Sequence, residues 1–282
     1  PGYLVLLRSE KDQKLAQPGL QVLRDAGVTF HQIDAAAART VEPALNQDTA
    51  FAGAIHLPDD EVGNCRQFAL MLRRHAEMLG ARFVFNTTVA TVVPGPQAAV
   101  AIAGEPSPRR FDAVVVCAGL ASATLLRPLG LKIPMAAVYG YSISANIREP
   151  LNAPRSAVMD ERYKVAISRL GMRVRVAGSA EIGGRLDTKR PAALQTLYKV
   201  LHDWFPGAAQ MSGGVQEWKG ARPMLPDGPP IVGASGIPGI WLNLGHGSSG
   251  WALSCGSARA VADLVGGRTP DVDLQGLGIE RL

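Results

Sequence analysis

The chain has 282 residues, of which 47% are apolar, and a formal net charge of +5. This length and composition are typical of a folded protein with one large or two smaller domains, and neither a run of about 18 apolar residues nor a secretory signal is present, so we expect a cytoplasmic protein. Scattered lysines and arginines indicate a solvated basic surface, although peripheral contact with the anionic inner membrane stays open, and no motif points to nucleic acid.

Strands and helices alternate over the first part of the chain. The predicted strands are residues 3–7, 29–33 and 51–57, and the predicted helices are residues 11–26, 35–41 and 65–79. Pro18-Gly19 should interrupt the first helix, Asp34 is placed to cap the second, and Gly80 should end the third. Because a domain rarely opens on a finished strand, we expect a truncated N-terminus.

The next segment has the pattern of a parallel-sheet domain. Short strands are predicted at residues 82–85, 89–93 and 99–103, then a continuous apolar run at 111–117 and a helix at 121–129. A continuous apolar run favours a buried parallel strand. Ala118 and Gly119 follow it, and small residues there either let a ligand approach the carboxyl end of the sheet or form a tight turn.

The pattern changes again near residue 134. Alternating strands are predicted at residues 138–146, 157–159, 163–169 and 172–179, and a helix at 191–205. This arrangement favours an antiparallel sheet that carries one helix. We therefore predict an α/β fold with an α+β insertion, in which residues 1–57 and 134–214 form one domain and residues 58–133 and 215–282 form the other.

A glycine loop joins an apolar strand to a helix near the C-terminus. Residues 245–250 read GHGSSG, and the helix is predicted at 254–265. The G-x-G-x-x-G spelling does not indicate a dinucleotide fingerprint here, since no second strand with an acidic residue follows. Such a loop aims backbone N–H groups at a flat or anionic cofactor, although an ordinary glycine turn has the same spelling.

Other reactive residues give weaker signals. Cys65, Cys117 and Cys255 lack C-x-x-C spacing, so we expect reduced core thiols. The acidic run at residues 59–61 has no His or Cys at ligand spacing and is better explained as a turn, so no metal site is predicted. No nucleophile-base or paired-carboxylate constellation is evident.

Several motifs in the right order resemble the FAD-dependent D-amino-acid oxidase superfamily and, within it, its bacterial D-amino-acid dehydrogenase branch. They are WKGARPMLPDGPPIVG at residues 218–233, LNLGHG at 242–247, GW at 250–251, LPDDEVG at 57–63, YGYS at 139–142 and YKVAISR at 163–169. Leu225 departs from the threonine usual in that branch, which puts fine substrate preference in doubt.

The resemblance implies FAD as the cofactor and oxidative deamination of D-amino acids to 2-oxo acids and ammonia, with electrons passed to a quinone or another respiratory carrier. It also implies that residues 1–57 and 134–214 bind substrate, while the other domain is a partial Rossmann-like FAD-binding domain. Family members begin with an ADP-binding βαβ unit that this sequence lacks, so we expect a truncated piece that alone binds FAD poorly and is inactive. The alternatives are a related oxidase of glycine, sarcosine or D-hydroxyproline, and an inactive fragment.

The resemblance also implies the substrate-binding residues. Arg222 would bind the substrate carboxylate, for which its two-pronged donor geometry is suited, although an internal salt bridge would also satisfy a guanidinium in an apolar strand. Tyr141 and Tyr163 would present hydroxyl groups to the substrate, or else pack in the sheet.

Cofactor-binding residues follow from the resemblance in the same way. The positive end of the C-terminal helix would stabilise negative charge on a reduced flavin. His246 is equally well explained as a histidine that hydrogen-bonds within the loop. The residues implied are Gly245, His246, Gly247, Ser248, Ser249 and Gly250 at the flavin, Val89 at the adenine, and Ala118 and Gly119 along the dinucleotide.

Overall fold

The computed structural model describes residues 2–282, which form a mixed α/β fold and so confirm the predicted class. The strands are β1 (Tyr3–Leu7), β2 (His31–Ile33), β3 (Gly53–Leu57), β4 (Val89–Val93), β5 (Ala98–Ile102), β6 (Arg109–Phe111), β7 (Val114–Val116), β8 (Ala136–Asn146), β9 (Ala157–Asp160), β10 (Val165–Leu170), β11 (Arg173–Ile182), β12 (Gln216–Met224), β13 (Ile231–Ala234) and β14 (Ile240–Leu244). The α-helices are α1 (Glu10–Asp25), α2 (Ala35–Val41), α3 (Cys65–Met78), α4 (Ala121–Leu126), α5 (Pro191–Trp204) and α6 (Gly250–Val265).

The first of two compact units contains the residues up to Ala69 together with Tyr139–Gly220. Its sheet has the strand order β12-β8-β11-β10-β9-β1-β3-β2. The pairs β10–β11 and β9–β10 are antiparallel, as predicted, and β1–β3 and β2–β3 are antiparallel as well, whereas β1 runs parallel to β9. Helix α5 packs its apolar side onto this sheet, and Trp204 is fully buried there.

The second unit contains Leu70–Val138 and Ala221–Leu282. Its strand β14 runs parallel to β7 and antiparallel to β13, and β4, β5 and β6 form a separate antiparallel sheet. The predicted single strand at 111–117 is wrong in extent, since β6 ends at Phe111 and β7 covers only Val114–Val116. Asp112 lies at the bend between them, and aspartate is a poor strand residue.

Two local predictions fail because tertiary contacts decide the outcome. Helix α1 continues through Pro18, held by a capping box between Ser9 and Asp12 and by the burial of Leu20 beneath it. Residues 82–85 form no strand, since none of the neighbouring strands in residues 2–282 pairs with them.

The three cysteines are free, but they are exposed, so the expectation of core positions for them is wrong. The described residues include no group of three or more His, Cys, Asp or Glu that could hold a metal ion. Across residues 2–282, helices fall short of the length and apolarity needed to cross a bilayer.

Candidate active site

Two loops of the second unit leave the same edge of one sheet. Leu242 of β14 lies opposite Val116 of β7 in a parallel pair, so the segments after both strands emerge at the carboxyl edge. After β7 the chain passes through Ala118 and Gly119, and Gly119 has φ of +56°. After β14 it passes through residues 245–250. The structure therefore brings two of the predicted cofactor-contacting segments together.

The glycine loop is shaped by its neighbours as well as by its own backbone. Gly245 and Gly247 have φ of +77° and +55°, a region that disfavours side chains. A Cβ added to Gly245 would lie 2.5 Å from Leu225 Cδ1, and one added to Gly247 would lie 2.5 Å from the Met224 sulfur. The backbone conformation therefore favours glycine at both positions, and any other residue would also have to displace the end of the Leu225 or Met224 side chain.

Helix α6 begins directly after this loop. A 3₁₀ turn at Gly247–Ser249 leads into the helix, which starts at Gly250 rather than at the predicted Ser254. Ser249, at the N-cap, makes no side-chain capping hydrogen bond to any residue in the range 2–282. The first N–H groups of a helix lack intrahelical acceptors, and the helix dipole adds positive potential there. The Ser249 N–H, however, donates to the His246 carbonyl at 3.2 Å within the turn, so the expectation that it faces a cofactor is wrong, and the anion-favouring surface lies at Ser248 and at the start of α6.

His246 fastens the loop to α6. Its Nε2 lies 3.0 Å from the Ser257 hydroxyl, about two turns into the helix. Burial lowers the pKa of the His246 imidazole below its usual value, so the ring is neutral at pH 7. A neutral imidazole that makes a hydrogen bond with the Ser257 hydroxyl fits the explanation of His246 as a hydrogen-bonding residue.

Strand β12 places Arg222 near the same loop. Met224 forms an isolated antiparallel bridge with His246, and the Met224 side chain lies against Gly247. Side chains two residues apart in a strand share a face, so the half-buried Arg222 leaves β12 on the same side as Met224, about 7 Å back along the strand. Pro223 keeps the Arg222 backbone extended.

Tyr141, in the first unit, is engaged inside the protein. Its side chain is buried, its hydroxyl donates to the Glu181 carboxylate, and the same oxygen accepts from the Arg190 backbone N–H at 3.0 Å. Contact between this hydroxyl and a substrate would require it to leave these partners. The role of Tyr141 at the substrate stays a prediction.

Tyr163 lies in the turn before β10, not within a strand as predicted. The Arg8 guanidinium carbon and the Lys199 ammonium each lie 5.1 Å from its ring centroid. These cations account for the position of the ring, while its proposed contact with substrate stays a prediction.

Val89 begins β4 and pairs with Ile102. It therefore belongs to a different sheet from the glycine loop, and the sheet edge that joins Ala118 to residues 245–250 does not include it. The register of β4 shifts between Val89 and Thr91, which marks a bulge where backbone groups leave the ladder.

One buried polar cluster escaped the sequence analysis. Lys219 and Glu181 form an ion pair at 2.9 Å, with side chains that are 1% and 8% exposed. A lysine in a strand usually reaches solvent, and the two residues are far apart in the sequence. No local pattern indicates this pair, because alternation along β12 would bury the face of Trp218 and Met224 and leave Lys219 in solvent.

Comparisons with known proteins bear on the whole chain. A family model described as FAD dependent oxidoreductase (DAO) matches residues 1–264. The chain belongs to this family of FAD-dependent oxidoreductases. A D-amino acid dehydrogenase of Bradyrhizobium diazoefficiens is 40% identical over 281 residues, which are 99% of this chain and 66% of that protein. A D-amino acid dehydrogenase of Cereibacter sphaeroides is 42% identical, again over 99% of this chain and 64% of the relative.

The chain thus spans slightly less than two thirds of the length of these relatives. Among solved structures, glycine oxidase from Geobacillus kaustophilus has a TM-score of 0.88 at 23% identity, covering 100% of this chain and 75% of that one. L-proline dehydrogenase from P.horikoshii has a TM-score of 0.84 at 17% identity, covering 99% of this chain and 76% of that one. These likenesses show that the chain shares its fold with both of these proteins.

The residues of the second unit fit the cofactor of the family. Gly245 and Gly247 let the chain turn tightly between β14 and α6 at left-handed φ values, and the positive end of α6 favours negative charge. Ala118 and Gly119 keep the neighbouring sheet edge open to a ligand. These segments would hold FAD, with residues 245–250 as the part suited to an electron-rich ring.

Proposed function

We propose that the protein catalyses the FAD-dependent oxidation of D-amino acids to 2-oxo acids and ammonia and passes the electrons to a quinone or another respiratory carrier. Relatives named D-amino acid dehydrogenase, at 40% and 42% identity, support the substrate class. The observation that carries the proposal is the bridge between Met224 and His246, because it sets the strand of Arg222 against the glycine loop.

Arg222 binds the substrate carboxylate in this proposal. The guanidinium offers paired N–H donors that match the two carboxylate oxygens, and such pairing orients the substrate as well as holding it. Orientation matters because the Cα hydrogen must point at the acceptor, and fixed geometry supplies much of the rate enhancement in such reactions.

The glycine loop and the start of α6 would stabilise negative charge in this proposal. When bound, FAD supplies the acceptor for the hydride that leaves Cα. The positive end of α6, together with the backbone N–H groups of residues 248 and 250, would stabilise the negative charge that develops during the transfer, whereas the Ser249 N–H donates to the His246 carbonyl. The amine lone pair forms the imine as the hydride leaves, and water then hydrolyses the imine to the 2-oxo acid and ammonia.

The remaining assignments belong to the same proposal. Val89 would meet the adenine through its backbone, and Ala118 and Gly119 would lie along the dinucleotide. Tyr141 and Tyr163 would border the substrate. The unit that contains Tyr139–Gly220 would serve the substrate, and the unit that contains Ala221–Leu282 would serve the cofactor.

The test is anaerobic reduction of the flavin in the full-length, FAD-loaded protein. We expect D-alanine to bleach the oxidised flavin and L-alanine to leave it unchanged. Bleaching by glycine, sarcosine or D-hydroxyproline alone would replace the proposed substrate class, and no bleaching by any amino acid would refute the proposal. A quinone analogue should reoxidise the flavin faster than oxygen does, and the reverse order would refute the proposed acceptor.

A further inference from the structure

The ammonium group of Lys219 is buried although β12 is an end strand of the eight-stranded sheet. Its Nζ donates to the Glu181 carboxylate at 2.9 Å and to the backbone carbonyls of Arg185 and Thr188, each at 2.6 Å. These three acceptors match the three protons of an ammonium group. Each proton of the Lys219 ammonium group therefore has an acceptor, so the group can stay charged although it is buried in the first unit.

Aromatic rings close the cluster from another side. The Lys219 Nζ lies 4.6 Å from the Tyr139 ring centroid and 5.2 Å from that of Tyr141. Tyr141 also donates its hydroxyl to Glu181, and the hydrogen bonds from Tyr141 and Lys219 hold the pKa of the Glu181 carboxyl below its usual range. Lysine and glutamate are thus both charged, and each neutralises the other.

Two glycines after β11 leave room for the Glu181 carboxylate. A Cβ added to Gly184 would lie 2.0 Å from Glu181 Oε1, so the carboxylate occupies the space that any other residue would need. Gly183 has φ of +74°, which turns the chain sharply after β11.

Both ends of the β11–α5 connection, residues 183–190, are tied to β12. Lys219 holds the carbonyls of Arg185 and Thr188 from inside. Lys189 donates its ammonium to the Glu217 backbone carbonyl at 2.9 Å. Because Glu217 and Lys219 both belong to β12, the connection and the strand are fastened together at several points.

We propose that Lys219 is a positioning residue of the substrate site, which locks residues 183–190 to β12 and thereby fixes the strand segment that presents Arg222. The inference rests on the proposed function, since the carboxylate-binding role of Arg222 belongs to it. A separation of three residues places the two side chains on opposite faces of the strand. Lys219 therefore acts through the backbone and does not touch the substrate.

The variant that tests this is Lys219→Met in the full-length, FAD-loaded protein. Methionine keeps the unbranched stem but removes the donor from Glu181 and from two carbonyls. We expect amide hydrogen exchange at residues 183–190 and 216–224 to speed up by about tenfold or more, since hydrogen bonds to a charged group are lost. The KM for D-alanine should rise about tenfold while kcat changes less than about twofold, because binding through Arg222 weakens in ground and transition states alike.

Lys14→Met is the matched control, since Lys14 is an exposed lysine of α1 in the same unit. It should leave exchange at residues 183–190 and the KM unchanged. If Lys219→Met fails to fold, Glu181→Gln, which keeps an acceptor for Tyr141, should shift exchange and KM in the same direction by a smaller factor.

Unchanged exchange in the variants would overturn the fastening of the connection. Faster exchange with an unchanged KM would overturn the positioning role. A wild-type protein that oxidises no D-amino acid would refute the proposed function and with it the link to Arg222, whereas exchange at residues 183–190 still decides the fastening on its own.

Discussion

Replacing Gly247 by alanine should damage both stability and flavin binding, while the same replacement at Gly256 should not. Gly247 has φ of +55°, where a Cβ costs about 1–2 kcal/mol. Its added Cβ would also lie 2.5 Å from the Met224 sulfur, although that flexible side chain can move. Gly256 lies within the exposed side of α6 with no atom within 4 Å of its added Cβ, so alanine should stabilise the helix by about 1 kcal/mol.

The two alanine variants should therefore differ by about 2–3 kcal/mol in the free energy of unfolding. Urea unfolding measures this difference through the shift of the midpoint, provided the slope is unchanged. Repeating the experiment on the full-length protein with added FAD should stabilise the wild type and Gly256→Ala more than Gly247→Ala, because only Gly247→Ala distorts the glycine loop. Equal midpoints for the two variants, with and without FAD, would refute the reasoning about the loop.

Two further predictions concern stability in each unit. Arg259 and Arg268 hold the pKa of the buried Asp263 carboxyl below its usual range, so its stabilising contribution is present above about pH 4 and is lost as the pH falls through the lower, folded-state pKa. Asp263→Asn should therefore be less stable than the wild type at pH 7, and the difference in the free energy of unfolding should become smaller in acid. A difference that does not change with pH would contradict this origin. The Asp34 carboxylate accepts a hydrogen bond from the Ala37 N–H at 2.8 Å at the start of α2. Thermal or urea unfolding should therefore show that Asp34→Ala loses about 1 kcal/mol of stability and that Asp34→Ser loses little. Equal losses of stability in the two variants would contradict the capping role.

Local signals were sufficient for much of the fold. The cap at Asp34 is confirmed, since one side chain and the N–H three residues later decide it. The strand, glycine loop and helix around residues 240–265 were also predictable, because an apolar strand, left-handed glycines and a helical pattern follow one another directly. The carboxyl-edge placement of Ala118 needed only the assumption of a parallel pair between β7 and β14.

Features that depend on distant partners were not predictable. Pro18 lies inside α1 because the burial of Leu20 against Leu7 and Ile55 helps to outweigh the lost hydrogen bond, and those partners are distant in the sequence. Residues 82–85 have strand-like composition but lack a pairing strand among the described residues. The Lys219–Glu181 pair joins β12 to the end of β11, and nothing in the pattern around either residue indicates the other.

The central claim is that Arg222 binds the acid group of the substrate beside the glycine loop. The most direct measurement compares kcat/KM for D-alanine and for D-alaninamide, which lacks the carboxylate, in the wild type and in Arg222→Met. Loss of one partner of a desolvated charge pair costs about 2–5 kcal/mol, so the variant should lose about 30-fold or more with D-alanine and less than about threefold with the amide. Equal losses with both substrates, or none with D-alanine, would contradict the account.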